Sequence, residues 1–175
     1  MEWAVPGNLL VATWASRSIT TELKIQLYNS IVLPTALYAC ETWKRTANIA
    51  HKIDVFHQRC LRRILRISYR DHVTNEEVLK RAKSNPLSST VTERRLKFAG
   101  HTLRRPRHCH ANVAMRWITP DGKRKRGRPR KTWRRTFDED IRQLNIKPDD
   151  VEKIAEDRVV WRELATQCAL LHGWT

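Results

Sequence analysis

Residues 94–135 carry sixteen Lys and Arg residues against one acid, Asp121, and no fold can bury a block like that. Taking an unpaired charge out of water costs several kcal/mol, so most of this block must lie at a surface. The chain's net charge is +16, and almost all of it sits here. Residues 1–93 hold thirteen basic and eight acidic groups, and residues 136–175 hold five and nine. So concentrated a charge repels itself unless a polyanion neutralises it, which implies nucleic acid or an anionic membrane as partner. No run of 18 or more apolar residues is present to span a bilayer.

The centre of the block reads GKRKRGRPRKTW, with Lys123, Arg124, Lys125, Arg126, Arg128, Arg130 and Lys131. Gly127 and Pro129 interrupt it, and no apolar periodicity runs through it, so a buried helix is excluded. The RGRP core has the form of an AT-hook. Gly127 lacks a Cβ and can approach the floor of a minor groove, while Pro129 holds the chain extended. Arginines then enter the groove and flanking cations meet phosphates. RNA serves the same charge, because counterion release rewards either polymer. The KRKR run also reads as an import signal, giving a nuclear location, with a cytoplasmic ribonucleoprotein as the other setting.

Elsewhere helical periodicity dominates, and the expected fold class is mainly α. Leu23, Leu27, Ile31 and Leu37 form a stripe interrupted at Pro34. Ile49, Ile53, Phe56, Cys60, Ile64 and Ile67 mark one face of a long helix, with Arg59, Arg62, Arg63 and Arg66 on a neighbouring face. Those arginines are either the wet side of the helix or phosphate contacts. Thr74 and Glu77 form a capping-box pattern that opens a short helix. A helix starting at Ser88, Ser89 or Thr90 carries Leu96, Ala99 and Leu103 inward, with Arg94, Arg95, Lys97, His101 and Arg104 outside, and ends by Pro106. Residues 111–120 are ambiguous between strand and helix end. Trp133, Phe137, Ile141 and Leu144 share a face, and Asp149-Asp150 caps a final helix bearing Val151, Ile154, Trp161, Leu164 and Cys168. The tryptophans Trp43, Trp117, Trp133 and Trp161 lie at helical spacing beside Leu and Ile, which favours core packing over base stacking.

No catalytic constellation is present. GxxxxGK[ST], GxSxG and HExxH patterns are absent, and Asp149-Asp150 lacks the flanking apolar strands of a polymerase carboxylate pair. His101, His108, Cys109 and His110 include three consecutive residues that cannot converge on a zinc ion, so no metal and no cofactor are expected. Cys40, Cys60, Cys109 and Cys168 are widely spaced, which suits structural thiols in a reducing compartment. The start of the chain lacks the basic region of a secretory signal.

Five blocks, YNSIVLPTALYACETW, FHQRCLRRILRISYRDHVTNEEVL, RRLKFAGHTLRRP, AMRWITPDGKRKRGRPRKTWRRTFDEDI and AEDRVVWREL, together resemble the C-terminal region of non-LTR retrotransposon reverse transcriptases of the endonuclease-bearing RTE type. The resemblance runs from about residue 14 to 168. It implies that residues 17–67 are similar to the helical thumb that follows a polymerase palm, and that the remainder holds template RNA or target DNA. It places the family's GRPRKTW at residues 127–133 and its DR…WR motif at Asp157, Arg158, Trp161 and Arg162, read as helix packing and salt bridging. The implied organisation is an unassigned segment 1–16, a thumb-like lobe 17–105, a basic extended linker 106–131 and a small helical lobe 132–175.

The polymerase's catalytic aspartates and its endonuclease are absent, so no enzyme activity is expected. The leading expectation is a nucleic-acid-binding module gripping phosphate through Lys123, Arg124, Lys125, Arg126, Gly127, Arg128, Pro129, Arg130 and Lys131. Arg94, Arg95, Arg104, Arg105, Arg134 and Arg135 would support it, with the Arg59, Arg62, Arg63 and Arg66 face behind them. The alternatives are an accessory lobe docking on a polymerase domain, or a retroelement remnant without a selected function. Neither a membrane nor a small-molecule substrate is expected as partner.

Overall fold

Thr20 begins a helix by accepting a hydrogen bond from the Leu23 N–H at 3.3 Å through its hydroxyl. That helix, α1 (Thr21–Leu27), runs through one π-helical turn, Tyr28–Val32, into α2 (Leu33–Ala36). Pro34 does not interrupt the helix as the sequence suggested. A proline has no N–H to give the carbonyl four residues back and its ring crowds that group; the wider turn just before it relieves both. The computed structural model describes residues 14–117 and 131–172, and every regular element among them is helical. The mainly α expectation therefore holds.

The chain divides into two compact units. The first contains Met1–Tyr38 and His51–Leu87; the second contains Ala39–Ala50 and Ser88–Thr175. Residues 117 and 131, which flank the basic segment, both belong to the second.

In the first unit, α1 and α2 pack with part of α3 (Ala47–Leu65) and with α4 (Asn75–Ala82). The core joins Trp14, Tyr28, Val32, Leu61, Ile64, Val78 and Ala82. Its α1 stripe is Lys24, Tyr28 and Val32, one residue round from the apolar stripe read from the sequence; Leu23 and Ile31 are 46% and 53% exposed. Lys24 is tolerated inside because its ammonium donates to the carbonyls of Trp14 at 2.9 Å and Ser16 at 2.6 Å. On α3 the buried centre is His57, Leu61 and Ile64, while Phe56 and Cys60 lie half-buried at its border. Thr74 caps α4 by accepting from the Glu77 N–H, as its spacing predicts.

His57 is 1% exposed, and both its ring nitrogens are engaged. Nδ1 lies 2.8 Å from the Tyr28 hydroxyl and Nε2 lies 3.0 Å from Ser84 Oγ, with the Tyr28 and His57 rings stacked. A neutral imidazole has one donor and one acceptor, which this pair of partners satisfies. Burial lowers the His57 pKa from 6.5 to about 4 and pushes the Tyr28 phenol well above its ordinary value.

The second unit is built from α5 (Leu87–Leu103), α6 (His110–Arg116), α7 (Trp133–Gln143), α8 (Val151–Glu156) and α9 (Arg158–His172). Leu96, Ala99, Phe137, Ile141, Val151, Ala155, Trp161, Ala165 and Cys168 form its core. Residues 110–116, ambiguous in the sequence, are helical. The single final helix is two. Asp157 breaks it by accepting the N–H groups of Val159 at 2.8 Å and Val160 at 3.2 Å, capping α9. Asp149 and Asp150, the expected caps, make no capping side-chain bond.

Gly100 on α5 is required by Trp161. A Cβ there would lie 2.2 Å from the indole Nε1, which donates to the Leu96 carbonyl at 2.8 Å. Thus Trp161 of the DR…WR motif serves helix packing. Its salt-bridging half is not seen, since Arg158 and Arg162 are exposed and form no ion pair among the described residues.

Candidate nucleic-acid interface

An arginine can meet phosphate only if its guanidinium is at the surface and not already committed. That criterion divides the candidates sharply. Arg95 is fully buried: its Nε and Nη2 reach Asp140 Oδ2 at 2.9 Å and 2.7 Å, and Nη2 also donates to Thr92 Oγ1. It belongs to the core of the second unit and is removed from the phosphate-binding set. Spacing alone could not reveal this, because α5 carries cations on nearly every face and the partner lies 45 residues away.

Arg62 donates to the Val73 carbonyl at 2.8 Å and to Asn75 Oδ1 at 2.9 Å, and Arg66 donates to the carbonyls of Ala15 and Ser16. Both tie backbone segments of the first unit together. Arg59 and Arg63 on the same helix are exposed. Arg104 is half-buried, donates to the Ala155 carbonyl at 2.7 Å, and has its pKa lowered by burial and then by Arg158.

The remaining candidates face water. Arg94 is exposed, and its charge partly offsets the burial that raises the Cys40 pKa. Arg105 is exposed, and among the described residues its guanidinium meets His101 alone, at 3.1 Å. Arg134 and Arg135 project from the first turn of α7, which Thr132 caps. The Arg134 guanidinium donates to the Arg116 carbonyl at 3.2 Å, drawing the start of α7 to the end of α6. Lys131 pairs with Glu139. Lys123, Arg124, Lys125, Arg126, Gly127, Arg128, Pro129 and Arg130 lie outside the described residues.

Two more basic residues are engaged close by. Glu152 accepts from Arg116 at 2.5 Å and Arg107 at 3.1 Å, and those bonds hold its carboxyl below the usual range. Trp117 is 61% exposed and does not pack in the core, unlike Trp161, which is buried, and Trp133, which stacks on Phe137. Trp133 also donates its indole N–H to the Glu41 carbonyl at 2.7 Å. The cysteines are all free, and burial raises the thiols of Cys40, Cys60 and Cys168, the last to about 12. Thiols so placed are unreactive. Among the described residues no group of three His, Cys, Asp or Glu side chains gathers to hold a metal, and no helix is long and apolar enough to cross a membrane.

The chain is similar to a transposon-derived protein. That relative, an uncharacterized protein of Caenorhabditis elegans, is 27% identical over 154 residues, covering 82% of this chain and 54% of its own length. The chain therefore spans about half of it. No family model and no solved structure matches.

Proposed function

We propose that this chain is a transposon-derived nucleic-acid-binding module, from the C-terminal region of a reverse transcriptase, that holds template RNA or target DNA by Lys/Arg–phosphate contacts. The carrying observation is that Arg105 and Arg135 stand exposed in the unit that also holds both flanks of the basic segment, residues 117 and 131, with Arg134 exposed beside them and spending one guanidinium nitrogen on the Arg116 carbonyl. The similarity to a transposon-derived protein supports the origin. The resemblance of the five sequence blocks supports the finer assignment.

The test is a binding titration of the full chain across salt, using A/T-rich duplex, G/C-rich duplex and structured RNA. If about six to eight phosphates are neutralised, log K falls with log salt at a slope of roughly −5 to −7. Arg134→Ala/Arg135→Ala reduces that slope by about two, because each lost phosphate contact removes close to one unit. Arg126→Ala/Arg128→Ala tests A·T readout separately. A slope near zero overturns the reading.

One observation favours a second reading, an accessory lobe that docks on a polymerase domain. Leu23, Ile31 and Tyr38 of the first unit are 46%, 53% and 81% exposed. Concentration-dependent self-association in sedimentation, lost in Ile31→Glu, is its signature; a clean monomer counts against it.

A further inference from the structure

Tyr69 is 92% exposed, so it stabilises the fold by no burial of its own, yet the turn that carries it is held at every point. The turn is a 3-10 segment, Tyr69–Asp71, with a reciprocal cap. Ser68 Oγ accepts the Arg70 N–H, and Asp71 Oδ2 accepts the Ser68 N–H at 2.6 Å. Left-handed residues bound it on both sides, Arg66 at φ 56° and His72 at φ 49°. Such a conformation costs about a kcal/mol for a residue with a side chain, and the chain adopts it twice within seven residues. The flanks are tied down as well. Arg66 grips the Ala15 and Ser16 carbonyls before the turn, and Arg62 grips the Val73 carbonyl and Asn75 beyond it. His72 contacts the Tyr69 ring at 6.2 Å between centroids, tilted by 54°.

These devices orient an aromatic ring into solvent. The surroundings say what it meets. Residues 59–73 hold five arginines and one acid. Asp71 is engaged as the cap, while Arg59, Arg63 and Arg70 are exposed and make no side-chain hydrogen bond or ion pair among the described residues. An exposed aromatic with exposed cations within a few residues of it in the chain matches a nucleobase on its phosphate chain, because every base has a π-face and every nucleotide an anion. Pre-orientation lowers the entropy lost when the base arrives.

We infer that the turn at residues 68–72 is a stacking site for an unpaired base of single-stranded nucleic acid, with Tyr69 as the platform and Arg63 and Arg70 on the flanking phosphates. The inference rests on the nucleic-acid reading above and adds a separate site in the first unit, selective for single strands.

The test measures the full chain by fluorescence anisotropy against a labelled oligothymidylate and an abasic strand of equal length and charge. Wild type is expected to bind the base-bearing strand about fivefold or more tightly, the scale of one stacked base. Tyr69→Ala is expected to abolish that preference while leaving abasic binding unchanged, and Tyr69→Phe to retain it. Because Tyr69 is 92% exposed, both variants are expected to keep the wild-type circular dichroism and melting. Equal affinity for the two strands in wild type, or a preference that survives Tyr69→Ala, overturns the stacking site but leaves the phosphate grip standing. No binding to either strand overturns both.

Discussion

The two units each place a polar arrangement inside a helical core, and the two arrangements are of opposite kinds. The first unit encloses a neutral chain, Tyr28–His57–Ser84, in which every partner is uncharged. The second encloses a full ion pair, Arg95 with Asp140, at 0% and 1% side-chain exposure. A neutral network fails when one member acquires charge. A buried ion pair fails when one member loses it, because the survivor is then an uncompensated charge in an apolar interior. The first core thus takes in a basic residue, Lys24, on backbone carbonyls without a counter-charge, and the second takes in Arg95 by neutralisation.

The sharpest way to break the comparison is Asp140→Ala. It strands Arg95 and is expected to cost about 3–5 kcal/mol, read as lost hydrogen-exchange protection in α7 with α4 retained. Arg95→Met/Asp140→Leu together are expected to restore most of it; no rescue would mean the pair does more than neutralise. Next comes acid. His57 has a folded pKa of about 4 against an ordinary 6.5, so the unfolded chain takes up a proton first as pH falls. The associated stability is whole above about pH 6.5 and lost progressively down to about pH 4, a total of roughly 3 kcal/mol. Urea titrations followed at α4 amides between those limits check it, and His57→Gln is expected to flatten the profile. Tyr28→Phe leaves His57 Nδ1 without its partner and costs about 1–3 kcal/mol, again in the first unit. Smallest are the caps: Thr74→Ala and Thr132→Ala are each expected to cost about 1 kcal/mol, the former at α4 and the latter at α7. Equal losses at both helices from either variant would show the units to be energetically inseparable.

Much of this was legible because it is local. Thr74's cap, the α7 face of Trp133, Phe137, Ile141 and Leu144, and the Leu96–Ala99 stripe follow from spacing within a few residues. The misreadings share one cause, which is that a charged or polar side chain can be buried once a distant group satisfies it. Lys24 displaced the apolar stripe of α1 by finding carbonyls ten and eight residues upstream. Arg95 left the surface for Asp140, and His57 entered the core between residues 29 before it and 27 after it. Periodicity ranks residues by hydropathy and is blind to such partners. Among the site candidates it could not separate Arg62 and Arg66, which clamp backbone, from Arg59 and Arg63, which face water. The turn around Tyr69 did leave a trace in SYRDH, a Ser and an Asp three apart, which is the spacing of a reciprocal cap.

That residues 117 and 131 belong to the same unit has a consequence for covalent continuity. Residues before the basic segment and residues after it are held to one another by Arg95 on Asp140, by Trp161 on the Leu96 carbonyl and by Arg134 on the Arg116 carbonyl. A single break in the polypeptide between residues 117 and 131 therefore severs none of these bonds. The second unit is therefore expected to stay assembled after a single cut there, which limited proteolysis followed by gel filtration checks.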